Sequence, residues 1–483
     1  MICRSDARSD ADLHTPKEQT FAEPRATPRG GGRKQNHIVC SRAIDPKGQR
    51  FTYRRTVGPL GRRKESEGHS RSPGRCPGLG ERLGRWPKRI SLSLFLVVFG
   101  CHWAVSCAVG NETPEKPAWP VFRGDGHATG VAKGELPEKL ELLWTFATKK
   151  GGFESTAAIV GDAVYVGDTG GKFYALNLAD GKKRWEFPSA IGFTASPAVK
   201  DGRVFIGDSE GNFFCLDAKS GEKKWVFQAD GEIDSSANFY ETRAAADSQP
   251  SPSASLPKDE GSYVLFGSQD AMLYCLDAKS GTLVWKFEGG DQIRCFPTVL
   301  DHFAFIAGCD SALSMIDLEN HGQLVDKVPL DSPTGCSPAV MGGHVFVGTE
   351  GGTFFCLDPK EKKLVWQFED EKHAEAFRSS AAVTKDAVIV GSRDKQLHAL
   401  NPQSGKPLWH FSTKNRVDSS PVVAGGRVFF GSADGRIYAL NVRTGEKVWQ
   451  YEAGGAVVAS PAIAGGRMVI GNNQGELFCF GAK

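Results

Sequence analysis

The sequence predicts an all-β chain: an eight-bladed β-propeller of four-stranded antiparallel blades, closed by an N-terminal strand around Trp144 that completes the last blade. Three observations lead there. Seven tryptophans (Trp144, Trp185, Trp225, Trp285, Trp366, Trp409 and Trp449) follow one another at steps of 41, 40, 60, 81, 43 and 40 residues. A period of about 40 with one aromatic per unit marks a repeat array. A glycine closes a β-branched and aromatic run at Gly167, Gly207, Gly267, Gly308, Gly348, Gly391, Gly431 and Gly471, which counts eight units. The eighth unit, Ser460 to Phe480, has three runs and no tryptophan strand, whereas Leu142-Leu143-Trp144-Thr145-Phe146 stands ahead of the first complete unit.

The seventh unit shows the elements in order. Ser419-Ser420-Pro421-Val422-Val423, Arg427 to Gly431, Ile437 to Leu440 and Gly445 to Tyr451 are four short runs rich in Val, Phe, Tyr and Trp. Such runs, separated by Gly/Asn/Asp/Ser clusters, read as strands of a meander. Ala433-Asp434-Gly435 and Thr444-Gly445 supply residues that tolerate positive φ, as tight hairpins require. A four-stranded meander repeated about an axis is a propeller blade. Pairing the orphan strand at Trp144 with the last blade leaves no open edge, which favours a closed ring over a solenoid. The tryptophans are expected between neighbouring sheets, each ring burying about 150–250 Å². Blade four departs from the rule, with Asp326 in the tryptophan slot.

The front of the chain differs in character. Residues 1–89 hold 21 Lys+Arg against 9 Asp+Glu, so the net charge of +3 for the whole chain leaves residues 90–483 at −9. The basic excess belongs to the leader and gives no reason to expect nucleic acid on the propeller. Residues 1–85, rich in Arg, Gly, Pro and Ser without an apolar period, read as disordered and as preceding the true start, expected near Leu83. Residues 86–108 read as an export signal or membrane anchor: a basic flank, the apolar run from Ile90 to Gly100, then small residues. Its end has three readings. Cys101 is a candidate lipidation site, Ser106-Cys107-Ala108 a cleavage site, and residues 90–109 are long enough to stay as an anchor; the first two rank above the third. Residues 109–140 form an N-terminal extension and 141–483 the propeller, interrupted by a Ser/Ala/Pro-rich surface loop at about 241–261.

Little in the propeller suggests catalysis. Cys215, Cys275, Cys356 and Cys479 share a repeat slot with Ala175, Ala399, Ala439 and Met315, which asks for a small buried residue. Cys295 and Cys336 share a second slot on adjacent blades, where a disulfide is one reading. The histidines form no metal-ligand spacing, and His398 stands where Tyr174 and Tyr438 stand in other units, as a packing residue. Nucleophile elbows, phosphate loops and dinucleotide fingerprints are missing. One constellation remains. The slot two residues before the Ser/Pro of each first strand reads Glu154, Thr194, Asp234, Arg294, Gly335, Arg378, Asp418 and Val458. If first strands line the channel, Glu154, Asp234, Arg294, Arg378 and Asp418 form a polar ring at one mouth. It reads equally as a binding funnel or as two cross-blade ion pairs, Asp234–Arg294 and Arg378–Asp418.

The repeat from Val204 to Trp225, with Ser-Pro before it, resembles the pyrroloquinoline-quinone-like (PQQ-like) propeller repeat, and its Asp-Ala…Gly…Trp segment is similar to that family's tryptophan-docking motif. The resemblance covers residues 119–483, including Trp119-Pro120-Val121-Phe122-Arg123-Gly124. It implies a fold and leaves two function classes. One is a non-catalytic scaffold of the type of BamB, an outer-membrane assembly lipoprotein. That class implies an exported, periplasmic or outer-membrane-associated monomer with protein partners in the cell envelope, such as a barrel-assembly complex. It needs no cofactor and touches membrane only through a lipid or signal anchor. The alternative is a quinoprotein dehydrogenase using PQQ and calcium. Compact blades, the absence of adjacent cysteines and the lack of a calcium cluster or catalytic aspartate favour the first class.

Overall fold

Residues 118–242, 261–370 and 372–483 are described by the structure, a computed structural model. The leader, the signal segment with Cys101 and the core of the insertion lie outside them. Eight antiparallel sheets succeed one another along the chain, seven of them four-stranded and the first extended by a fifth, short strand. The short strand β1 (Ala118–Trp119) pairs with the innermost strand of blade one, Ala158–Val160. The strand β2 (Glu141–Ala147) pairs with the last strand of the chain, Glu476–Gly481, with Trp144 opposite Cys479. The ring is therefore clasped as the orphan tryptophan strand predicts. No helix among the described residues is long and apolar enough to cross a membrane.

Each blade is built by alternation. Its second and third strands are buried on both faces, as in Arg203–Gly207 and Asn212–Asp217, while the fourth strand alternates between exposed and partly buried. The inner strands therefore read as continuous apolar runs, because sheets cover them from both sides. Where the fourth strand carries a tryptophan, its ring reaches the next blade. A Cβ added to Gly181, Gly221, Gly281, Gly322, Gly405 or Gly445 would lie 2.4–2.7 Å from the ring of Trp144, Trp185, Trp225, Trp285, Trp366 or Trp409, respectively. Those glycines also have φ between +67° and +75°, so the turn and the ring both exclude a side chain. The indoles of Trp144, Trp185, Trp366 and Trp409 donate to carbonyls of that same next blade. Trp449 has no such glycine ahead of it and packs on Phe480 of blade eight.

One detail of blade four corrects the sequence reading and a second bears it out. Its second strand, Phe303–Ala307, ends on Ala307 and not on Gly308; Ala307 faces Leu313 as Gly267 faces Leu273. In the seven other blades a Cβ at this slot would lie 2.2–2.5 Å from a Phe, Ile or Val in the segment leading into the next blade's first strand. Blade five presents the smaller Thr334 at the equivalent position, its N–H donating to the Gly308 carbonyl. The Asp326 vacancy is likewise matched across the seam, by Lys362 in the glycine slot at φ +54° with its Nζ 3.7 Å from Asp326 Oδ2.

The extension ahead of β2 is a structured strap. Val199 N–H donates to the Pro120 carbonyl, Asn238 Nδ2 and Val299 N–H to that of Gly126, and Val340 N–H to that of His127. Val383 and Val423 then donate to the carbonyls of Thr129 and Gly130, and Ala132 donates to the Val423 carbonyl. The strap thus visits blades one to seven in order along their inner strands before entering blade eight. It supplies partners to backbone groups that the innermost edges of the sheets leave open.

Candidate binding site at the propeller axis

The segments that lead into the first strands, rather than the strands themselves, surround an axial cavity of about 170 Å³. All eight residues of the predicted slot line it: Glu154, Thr194, Asp234, Arg294, Gly335, Arg378, Asp418 and Val458. The strap lies toward the other end. Its contacts at Val199, Val299, Val340, Val383 and Val423 fall five residues further along each strand, roughly 16 Å at strand rise. Phe122 of the strap reaches back to line the cavity, edge-on to Phe296 with centroids 6.0 Å apart. One end is therefore a charged mouth and the other is walled by the strap.

The ion pairs at the mouth differ from those expected. Among the described residues Arg294 does not meet Asp234, nor Arg378 Asp418; each instead has a partner from a second slot, the hairpin that follows each second strand. Arg378 sets Nε and Nη2 on Glu350, with Nε 2.8 Å from Oε1. Asp418 takes Arg393 in a two-bond fork, both at 3.0 Å, and Arg416 Nε at 2.7 Å. Asp234 accepts from Thr194 Oγ1 at 2.6 Å and Gln269 Nε2 at 2.7 Å. Arg294 donates to the amide oxygens of Gln292 and Gln269. Burial pushes the Asp418 carboxyl up, but the bonds from Arg393 and Arg416 outweigh it and hold it below the usual carboxylate range.

Two residues deeper lies a feature that charge-based reading missed, a collar of hydroxyls. The backbone N–H of Thr156 donates to Ser196 Oγ, that of Ser196 to Ser236, Phe296 to Ser337, Ser337 to Ser380, Ser380 to Ser420 and Ser420 to Ser460, at 2.8–3.0 Å. Each serine thus ties its blade to the one before. The sequence signal was the serine that recurs with the repeat period just ahead of the Pro or Ala of each first strand.

The intervening slot explains the cysteines. Ser379 and Ser419 accept the N–H of Gly391 and Gly431 in their own blades. Cys336 and Cys295 do the same for Gly348 and Ala307, at 3.3 and 3.4 Å. Each sulfur serves its own blade, and both thiols are free, so the two do not bridge. Burial pushes both up to about 12, away from thiolate reactivity. Cys215, Cys275, Cys356 and Cys479 are buried and free in their shared slot. His398 packs as expected, with Nε2 2.7 Å from Asp394 Oδ2, just as Tyr438 meets Asp434.

The residues at the mouth do not fit calcium with a quinone. No group of three His, Cys, Asp or Glu among the described residues is placed to hold a metal ion. Asp418 is committed to two arginines and Asp234 to Thr194 and Gln269, whereas calcium takes six to eight oxygens from uncommitted donors.

Residues 137–249 and 368–483 match a family model described as outer membrane protein assembly factor BamB. BamB of Yersinia pestis is 26% identical over 162 residues, which are 31% of this chain and 41% of that protein. Quinohemoprotein alcohol dehydrogenase ADH-IIG of Pseudomonas putida is 26% identical over 127 residues, 24% of this chain and 18% of the enzyme. Each match therefore spans less than half the length of the relative. The crystal structure of BamB from Moraxella catarrhalis superposes with a TM-score of 0.57 at 19% identity, over 71% of this chain and 98% of that one. A likeness at that level concerns architecture, and an enzyme and an assembly factor share it.

Proposed function

Since the chain belongs to the PQQ-like β-propeller family, we propose that it is a non-catalytic protein-interaction scaffold of the cell envelope, docking a partner on its channel-mouth face. The carrying observation is the state of the mouth. Arg378 is committed to Glu350 and Asp418 to Arg393 across blade seams, and Asp418 also to Arg416 of its own blade. General acid–base or metal chemistry needs groups with spare proton or coordination capacity in reach of substrate. A stiff, patterned rim of fixed charges suits recognition of a complementary protein surface instead. The similarity to an outer-membrane assembly factor makes a barrel-assembly complex the first partner to seek, and the segment at 86–108 would deliver the chain to the envelope.

The test is a crosslinked pull-down of the full chain from envelope membranes. We expect barrel-assembly components to be recovered, and recovery to fall on charge reversal by Arg294→Glu or Arg378→Glu. Dye-linked oxidation of an alcohol or sugar by the chain incubated with quinone and calcium would overturn the scaffold reading in favour of a dehydrogenase.

A further inference from the structure

We propose that a groove between blades six and seven holds one phosphate group through Lys414 and Lys447. This does not depend on the docking reading, because the groove lies among the outer strands and not at the channel mouth. It encloses about 300 Å³ between the outermost strand of blade six, Pro407–Ser412, and the two outer strands of blade seven, Arg436–Asn441 and Lys447–Glu452. Lys414, Arg436, Lys447 and Gln450 line it with the rings of Phe411 and Tyr438, and no Asp or Glu among the described residues does.

The first observation is a contrast between two seams. The outer strands of blade one, Lys172–Asn177 and Lys183–Pro188, correspond to those of blade seven, with Tyr174 opposite Glu186 as Tyr438 is opposite Gln450. Lys149 stands five residues after Trp144, as Lys414 does after Trp409. Both seams thus carry three cations in the same slots. At the seam of blades eight and one the chain supplies the anion itself: Glu186 takes Lys172 at 3.2 Å and Lys183 at 2.5 Å. At the seam of blades six and seven Gln450 stands in that slot, an amide with no charge to give.

The second observation is what the neighbouring groups have left to offer. Arg436 sets Nη2 on Glu452 at 2.9 Å, a carboxylate that does not line the groove. Asp434 accepts from the Tyr438 hydroxyl and from the backbone N–H groups of Lys414 and Arg436. Lys447 Nζ meets only the amide oxygen of Gln450, at 2.6 Å, and Lys414 Nζ meets no acceptor among the described residues. Two ammonium groups are therefore left without a carboxylate.

Charge then selects the guest. Two uncompensated ammonium groups beside a neutral amide suit a group with two negative charges and several acceptor oxygens, which is a phosphate. A carboxylate brings one charge only. The rings of Phe411 and Tyr438, edge to face with centroids 5.5 Å apart, give the carbon of a phosphate ester an apolar wall. Inorganic phosphate and a phosphate on a lipid headgroup share this chemistry.

Phosphorus-31 NMR of inorganic phosphate with the full-length chain tests this, beside flotation with vesicles of phosphatidic acid or of phosphatidylcholine. The basic leader is common to all variants and cancels. Gln450→Glu restores the carboxylate that blade one carries and should weaken phosphate about tenfold, while Lys447→Gln should weaken it about fivefold. Glu186→Gln makes the converse change and should add a second site at the seam of blades eight and one. Gln450 and Glu186 are both exposed, so neither substitution threatens the fold. Flotation with phosphatidic acid that falls in Gln450→Glu assigns the phosphate to a lipid, and a fall in line broadening alone assigns it to the free ion or a small ester. Phosphate binding equal in wild type and Gln450→Glu, no gain in Glu186→Gln, or equal competition by acetate overturns the proposal.

Discussion

At the seam of blades five and six, the Trp366 ring lies over Gly405, which has φ +67°, and a Cβ there would sit 2.5 Å from the ring. The indole donates to the Pro402 carbonyl at 2.9 Å. At the seam of blades four and five, Asp326 takes the ring's place and Lys362 the glycine's, their charges 3.7 Å apart and partly in solvent. The deeper layer changes in step. Gly348 lies under Phe377 at the first seam, whereas at the second Ala307 and the smaller Thr334 occupy the equivalent positions. The contrast teaches that tryptophan and glycine here are one device. The glycine serves both the turn and the ring; without the ring only the turn's positive φ remains, which Lys362 adopts at a cost of ~1–2 kcal/mol.

This contrast makes graded predictions. The largest effect is expected from Trp366→Ala, which removes a ring that is 8% exposed and should cost about 3–5 kcal/mol in denaturant unfolding. Asp326→Ala at the equivalent place should stay within ~0.5 kcal/mol, because a half-exposed pair contributes little. Equal losses would show that the seams do not differ. Next comes the glycine: Gly405→Ala should cost about 1–3 kcal/mol through overpacking, while Lys362→Gly should be neutral or stabilising by ~1 kcal/mol or less. The sharpest version is a double-mutant cycle. Asp326→Trp alone drives a ring toward the Lys362 Cβ, and adding Lys362→Gly should recover it, with a coupling of about 1–3 kcal/mol. Additive effects would mean that ring and turn are independent.

The ring, its clasp at Trp144 and the mouth slot were legible because each repeats with the chain's period, and a period exposes every residue that shares a structural role. Blade four shows the limit. Gly308 sits beside the true slot at Ala307, and only the strand register distinguishes them. The mouth ion pairs were misread because Glu350, Gln269 and Arg393 lie on hairpins 25–35 residues from the residues they meet. Adjacency of blades identifies which strands are near, not which hairpin leans over the axis. The strap was opaque for another reason. Trp119 to Ala132 has no period of its own, and its hydrogen bonds reach nearly 300 residues away, from Ala132 N–H to the Val423 carbonyl and from Arg123 to Pro421.

The smallest expected effect separates the seams by pH. Asp418 of blade seven joins Arg393 of blade six, and its folded pKa is depressed, burial notwithstanding, by Arg393 and Arg416. A carboxyl whose folded pKa lies below its unfolded value of about 3.9 contributes stability that is present above that value. That contribution is lost as pH falls through the folded pKa. Unfolding free energies measured from pH 7 to pH 2 should therefore fall less steeply below about pH 4 for Asp418→Asn than for wild type, by at most one proton, or ~1.4 kcal/mol per pH unit. Asp326→Asn is the control at the other seam, where the pair is 3.7 Å apart and exposed. Parallel acid limbs for wild type and Asp418→Asn would mean that the mouth pairs add nothing to the seam that carries them, leaving rings and turns to hold it alone.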